Sequence, residues 1–285
     1  MAEGLRQLEA SEYPALLREI PDAPPSLWLR GTLAPEGTTY LAVVGSRALS
    51  SYGREACTKL ITGLRGYPVS IVSGLALGAD ACAHEAALRT GLHTIAIPGS
   101  AIDDDSIAPV TNQALAKRIL GSGGALLSEH APGTLARPEF FPSRNRIMAG
   151  MSAGTLIIEA GEKSGTLITA RLATDYNRDL LCVPYRIGDP GGFGAHLFIR
   201  LGAVLVSEPA HILEVLGIQE RSALASPSQA MSDDERVMHD ALVEPLSRDD
   251  LLRATSLPAG RALSALASLE LNGFVREEFG LWRRV

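Results

Sequence analysis

Lysine is nearly missing from this chain. Of its 26 basic residues only Lys59, Lys117 and Lys163 are lysines. Basic contacts therefore fall to arginine, whose planar fork suits phosphate and stacking. Cysteine is scarce too. Cys57, Cys82 and Cys182 are odd in number and show no CxxC spacing, which excludes a disulfide framework and predicts reduced, mostly buried thiols of a cytoplasmic protein. No apolar run approaches the ~20 residues of a membrane span. The opening MAEGLRQLEASEYP lacks the basic start and apolar core of a signal peptide, so no membrane partner is expected. A positive balance is also lacking. The formal net charge is −6, so any nucleic-acid binding has to come from a local patch.

What is present is 285 residues, 46% hydrophobic, enough for one large domain and a small one. Residues 1–37 are Pro-rich and weakly patterned, and read as an irregular arm packing on the main domain. Residues 38–217 alternate strands and helices. Strand-length apolar runs lie at Tyr40–Val44, Val69–Val72, Thr94–Ile97, Ala125–Leu127, Thr155–Ile158, Leu180–Val183 and Ala203–Val206. Helix patterns lie near 51–65, 79–90, 111–120, 166–177, 194–201 and 209–216. Continuous apolar strands imply burial on both faces. Their alternation with helices predicts an α/β fold with a doubly wound, mostly parallel sheet. Residues 218–231 read as a linker. Residues 232–285 hold helices over Asp233–Leu242, Arg248–Arg253 and Pro258–Leu271, then two short extended pieces around Gly280. That order describes a small winged-helix domain.

In a doubly wound sheet, ligands bind at the carboxyl ends of the strands. Three turns there carry small residues. In the first, Gly45 allows a tight turn, Ser46 can face an anion, and Arg47 can reach it with a bidentate fork; a surface arginine is the plain alternative. The second, Ser73–Asp80, places Asp80 and His84 one helical turn apart. They are either an acid–base pair or a structural contact, and with no third ligand a metal is rejected. The third holds Lys163, Ser164 and Thr166, which suit either phosphate or ordinary helix capping. It is not a P-loop, and no GxGxxG follows the first strand. No cofactor is expected.

The stretch the chain is organised around runs from Phe140 to Ala170. Arg144, Asn145 and Arg146 lie beside Phe140 and Phe141. Single-strand binders combine such a basic track with aromatic faces. A solvated helix start is the plain alternative, with one of the two arginines in an ion pair with Glu129 or Glu159.

From Tyr13 to the end, the chain resembles the DNA-processing protein A family (DprA, also called Smf). The resemblance rests on VVGSR at 43–47 with Tyr52-Gly53, SGLALGADACAHEAAL at 73–88, and Ser128-Glu129. It continues through FPSRNRIMAGMS at 141–152, EAGEKSGTLITA at 159–170, and GDPGGFGAHLFIRLGA at 188–203. It implies a Rossmann-like domain, usually a homodimer, that binds single-stranded DNA without sequence choice. It further implies handing that DNA to the RecA recombinase past single-strand binding protein, chiefly in natural transformation. It makes Gly45, Ser46, Arg47, Phe141, Arg144, Asn145 and Arg146 DNA contacts, with Lys163, Ser164 and Thr166 beside the same groove. Arg137 stands near the basic residue that often precedes FP. His196, Leu197, Ile199 and Leu201 lie where the family pairs protomers.

The chain departs from the family at three places. Leu77 replaces an arginine, Tyr185 stands where glycine is common, and Pro98–Asp105 replaces a GG(L/I)D segment. The acidic run Asp103–Asp105 is expected to repel DNA there.

Two other functions compete with this one. A nucleotide N-glycosidase of the phosphoribohydrolase kind needs a carboxylate after Gly165-Thr166, where this chain has Leu167, Ile168 and Thr169; no catalytic residue is assigned. A duplex-reading regulator would use the winged helix, but residues 232–285 carry seven basic residues against ten acidic, a poor footprint for duplex phosphates. Residues 137–200 carry eight basic against six acidic, so the groove has to be assembled from distant turns.

Overall fold

The computed structural model describes residues 4–219, 232–271, 274–278 and 280–284. The chain divides into two compact units, Met1–Glu220 and Arg221–Val285. Most of the expected linker, 220–231, lies outside the described residues.

In the first unit the chain runs β1 (Leu5–Gln7), α1 (Ala15–Glu19), β2 (Trp28–Gly31), β3 (Thr39–Val44), α2 (Ser51–Thr62), β4 (Val69–Ser73), α3 (Ala79–Thr90) and β5 (His93–Ala96). It continues through α4 (Gln113–Gly121), β6 (Ala125–Ser128), α5 (Phe140–Met151), β7 (Gly154–Ile157), α6 (Thr166–Asp175), β8 (Asp179–Cys182), α7 (Phe193–Arg200), β9 (Val204–Leu205) and α8 (Pro209–Val215). Among the described residues these strands form one sheet of order β1-β2-β6-β5-β4-β3-β7-β8-β9. Every pairing from β6 to β9 is parallel.

Side chains alternate across the sheet, which sorts the core into layers. Leu41, Val43, Ile71, Leu156 and Leu181 pack with Leu60 and Ile61 of α2, Ala83 of α3 and Ile212 of α8. Val44, Val72, Ile95, Ile157 and Cys182 pack with Leu17 of α1, Ile147 and Met148 of α5, Ala170 of α6 and Ala195 of α7. Helices on both faces explain why the strands read as unbroken apolar runs. The three cysteines are free and buried.

The arm is more regular than its composition suggests. β2 pairs antiparallel with β6, with Leu29 opposite Leu127, and β1 adds a further antiparallel strand. Tyr13, Leu17, Ile20 and Leu27 are buried. Arg178 Nη2 donates to Leu16 O at 2.9 Å and meets Glu19 at 3.2 Å, which ties α1 to the main body. The irregular arm of the sequence reading is therefore two edge strands and a short helix.

The second unit holds α9 (Asp233–Ala241), β10 (Leu246–Ser247), α10 (Arg248–Ala254), α11 (Ala259–Leu271), β11 (Val275–Glu278) and β12 (Leu281–Arg284). Its antiparallel sheet has the order β10-β12-β11. Met238, Leu251, Ala262, Leu269, Val275 and Trp282 form its core. Ser232 and Glu235 make a reciprocal capping box at the start of α9. This is a winged helix; the two-residue strand β10 is its one element without a sequence signal.

Candidate nucleic-acid interface

The chain lays β3, β4, β5 and β6 out toward one edge of the sheet, then returns to place β7 on the other side of β3. Strand order reverses between β3 and β7, and the crevice outside their carboxyl ends is where such sheets bind ligands. A cleft of about 800 Å³ opens there. Gly45, Ser46 and Arg47 line it from the loop after β3, Ala76 and Asp80 from the loop after β4 and the start of α3, and Lys163, Ser164 and Thr166 from the loop after β7. Phe141, Arg144, Asn145 and Met148 of α5 complete the wall.

The Arg47 loop is anchored from below. Ala79 N donates to Ser46 O at 3.0 Å. Gly78, at φ +76°, lies so close that a Cβ would stand 2.2 Å from that same carbonyl. Only glycine tolerates both the positive φ and the approach. Arg47 is exposed and lies over the Phe141 ring, 5.0 Å from its centroid. The ring in turn packs on Gly99, where a Cβ would stand 2.8 Å from it. A guanidinium on an aromatic face at a cleft mouth offers charge to a phosphate and a flat surface to a base.

The alternative of a helix start at this stretch is the start of α5, and the helix separates the two arginines that the sequence groups. At 100° per residue, Phe141, Arg144, Asn145 and Met148 share one face and Arg146 lies nearly opposite Arg144. Arg146 does not line the cleft. It bonds Glu129 Oε2 at 2.5 Å and approaches Asp22 at 4.0 Å. The ion-pair alternative thus describes Arg146 in this structure.

Arg144 lines the cleft but is 5% exposed. Its Nη1 donates to Ile97 O, and its guanidinium fills the space beside Gly74, where a Cβ would overlap it. Asp80, 6% exposed, accepts from Gly74 N at 3.1 Å and Ala76 N at 3.3 Å. Burial pulls Arg144 down to about 10, against the attraction of Asp80, so it remains protonated at neutral pH. Burial pushes Asp80 up, while Arg144 and the two N–H donors favour its carboxylate. Arg144 therefore supplies buried positive charge at the cleft wall and holds the loop after β5.

Asp80 and His84 are not an acid–base pair. His84 is fully buried and its Nδ1 meets Thr94 Oγ1 at 2.8 Å. Burial, and then the charge of Arg144, lower it to about 3.

The remaining residues divide as follows. Lys163 is exposed at the cleft rim, and neither it nor Arg47 has an ion-pair partner among the described residues. Ser164 Oγ accepts from Thr166 N at 3.2 Å and donates to Thr166 Oγ1 at 3.0 Å, which is a capping turn at the start of α6. Both hydroxyls still line the cleft. Arg137 lies outside the lining, 5.8 Å from the Phe140 ring, whose other neighbour is His130 stacked at 4.0 Å. His196, Leu197 and Ile199 are half-buried on α7, while Leu201 just beyond it is 73% exposed.

The acidic run differs from expectation as well. Asp103 accepts from Gly133 N at 2.8 Å and Ser106 Oγ at 2.7 Å, and Asp104 pairs with Arg30 at 2.5 Å. Both carboxylates are engaged in holding their own loop, and the run does not line the cleft. Met148, Ile168 and Thr169 line it and were missed. Helical spacing places Met148 at i+7 from Phe141 and Thr169 at i+3 from Thr166, whereas Ile168 at i+2 follows from no such spacing.

Comparison with known proteins follows the same division. The DNA recombination-mediator protein A family matches residues 5–217, and the DprA winged helix domain family matches residues 221–280. Protein Smf of Escherichia coli is 43% identical over 208 residues, which cover 72% of this chain and 54% of that protein. The chain thus matches about half the length of that relative. DNA processing protein DprA of Streptococcus pneumoniae is 42% identical over 201 residues, 70% of each chain. Its X-ray structure covers 74% of this chain at a TM-score of 0.69 and 38% identity. The structure of DNA processing protein A from Helicobacter pylori, described for its single-stranded DNA binding mode, covers 74% of this chain and 95% of its own at a TM-score of 0.66 and 27% identity.

Proposed function

Because the chain belongs to the DNA recombination-mediator protein A (DprA/Smf) family, we propose that its first unit binds single-stranded DNA without sequence choice along the β3/β7 cleft. The observation that carries this reading is the set of cations there. Arg47, Arg144 and Lys163 face the cleft with Asp80 as the one carboxylate lining it among the described residues, on a chain whose net charge is −6. Arg47 and Lys163 meet phosphates at the rim. The Phe141 ring under Arg47 and the apolar wall of Met148 and Ile168 receive bases. A ring and an apolar wall accept the face of any base, so the binding tolerates any sequence.

In the same reading the bound strand is protected and passed to the RecA recombinase during transformation and recombination, with single-strand binding protein as the competitor displaced. A second copy of the chain pairs along the β9 edge of the sheet, where Phe193, Leu201, Val204 and Leu205 are 40%, 73%, 39% and 45% exposed. No helix among the described residues is long and apolar enough to cross a membrane.

The glycosidase reading has little support. Asp80 is committed to Gly74, Ala76 and Arg144, and Leu167, Ile168 and Thr169 follow Gly165-Thr166 without a carboxylate. Titration of a labelled oligo-dT by fluorescence anisotropy, with duplex of equal length as competitor, tests the proposal. Tight, salt-sensitive binding that duplex displaces poorly is expected, and a protein ending at residue 219 should retain most of it. Equal affinity for duplex, or collapse of binding in the shortened protein, would move the interface to the winged helix.

A further inference from the structure

Two residues past the end of β7, Glu159 opens the loop that carries Lys163. Its side chain is 5% exposed and does not line the cleft. It nevertheless joins three of the loops around it. Glu159 Oε2 accepts from Ser50 N at 3.1 Å, Ser50 Oγ at 2.5 Å and Tyr185 Oη at 2.9 Å. Ser50 lies three residues after Arg47 and caps α2, its Oγ accepting from Gly53 N at 3.0 Å. Tyr185 belongs to the loop after β8, and its carbonyl accepts from His196 Nε2 of α7 at 3.0 Å.

The surroundings are built around this junction. At Gly53 a Cβ would stand 2.8 Å from Glu159 Oε2 and 3.0 Å from Tyr185 Oη, so a side chain there would fill the space the pair occupies. Tyr52 closes the outer side, its hydroxyl donating to Pro184 O at 2.8 Å and its ring edge-on to Tyr185 at 4.9 Å. Burial, then the hydrogen bond to Glu159, raise the Tyr185 phenol above its ordinary range, so it stays a donor at neutral and mildly alkaline pH.

We propose that Glu159 and Tyr185 are positioning residues for the single-strand cleft. They fix the Arg47 loop at the separation from the Lys163 loop that a bound phosphate chain needs, and they tie that separation to the seating of α7. The inference rests on the single-strand reading of the cleft. Hydrogen bonds to a carboxylate are about twice as strong as neutral ones, and a buried acceptor that loses a donor bears the desolvation cost. Without the phenol the Arg47 loop spends time away from its binding position. Apparent affinity then falls by the fraction of molecules still competent.

The test is oligo-dT affinity of the full chain for wild type, Tyr185→Phe, Arg47→Ala and the double variant, with Glu159→Gln and Glu159→Ala alongside. Tyr185→Phe keeps the ring and its packing and should weaken binding about three- to tenfold. On the Arg47→Ala background the same change should have no further effect, because the residue it acts through is gone. A purely structural role would give the same loss on both backgrounds. Glu159→Gln keeps an acceptor and should bind more tightly than Glu159→Ala. Amide exchange at residues 46–50 of the DNA-free protein should quicken in Tyr185→Phe.

Wild-type affinity and unchanged exchange in Tyr185→Phe, or equal losses on the two backgrounds, would overturn the proposal while leaving the cleft reading intact. A wild-type protein that ignores oligo-dT, or an Arg47→Ala variant that binds it as tightly as wild type, would overturn the cleft reading and the proposal with it.

Discussion

In the winged unit, Arg261 forks onto Asp234 at 2.6 and 2.7 Å, Arg253 reaches Asp250 at 3.4 Å, and Arg284 holds the His239 carbonyl at 2.9 Å and Asp240 at 3.5 Å. At the mouth of the cleft, Arg47 lies on a phenyl ring and Lys163 stands at the rim, both without an ion-pair partner among the described residues. Counting charges along the sequence gives the two regions only a modest contrast. The contrast sharpens once each cation is traced to its neighbour. Surface ion pairs add little stability, but they cancel the field that would draw a polyanion. What distinguishes the proposed interface is that two unpaired cations, Arg47 and Lys163, stand together at the switch point of the sheet with an aromatic ring beside them.

Truncating the buried arginine should break the comparison most severely. Arg144→Ala leaves Asp80 buried without its counter-charge and removes the donor to Ile97 O. A loss of about 3–5 kcal/mol is expected, read by urea denaturation, whereas Arg261→Ala should leave the denaturation midpoint unmoved. Equal midpoints for Arg144→Ala and wild type would show that Arg144 does not hold the cleft together.

The next effect separates the units by pH. His84 titrates at about 6.5 when exposed and at about 3 in the folded first unit. Between those values the unfolded chain takes up a proton that the folded chain refuses. Stability is therefore full above pH 6.5 and falls as pH drops, by at most about 1.4 kcal/mol per unit, or about 2 kcal/mol by pH 5. Melting curves at pH 7 and pH 5 should show this slope in wild type and a shallower one in His84→Gln. Parallel slopes would mean that another group governs the acid limb.

A smaller effect distinguishes the two faces of α5. Arg146→Ala unpairs the half-buried Glu129, and a stability loss of about 1–3 kcal/mol is expected. Oligo-dT affinity should fall less than in Arg47→Ala. A larger fall would return Arg146 to the DNA track.

The order of strands and helices was legible because doubly buried strands leave uninterrupted apolar runs and because glycines mark the strand ends. The loops of Arg47 and Lys163 were legible for the same reason: both follow strand ends directly. The features missed depend on partners distant in sequence. β1 and β2 are short and mixed in character, and they exist through pairing with β6. Helix α5 carries Pro142 in its first turn, where proline is tolerated, and its cations and rings interrupt the apolar periodicity that marks a helix. Without that periodicity Arg144 and Arg146 look equivalent. The acidity of Asp103 and Asp104 is offset by Gly133 N and Arg30, neither of which local sequence points to.

The measurement that tests the account most directly is the salt dependence of oligo-dT binding for wild type, Arg47→Ala and Arg253→Ala. Each phosphate contact on a single strand contributes about 0.7 to the slope of log K against log salt. Arg47→Ala should lose about that much slope along with about tenfold or more in affinity, while Arg253→Ala, on the winged unit, should follow the wild-type line. A slope reduced in Arg253→Ala and preserved in Arg47→Ala would contradict the assignment of the cleft as the DNA surface.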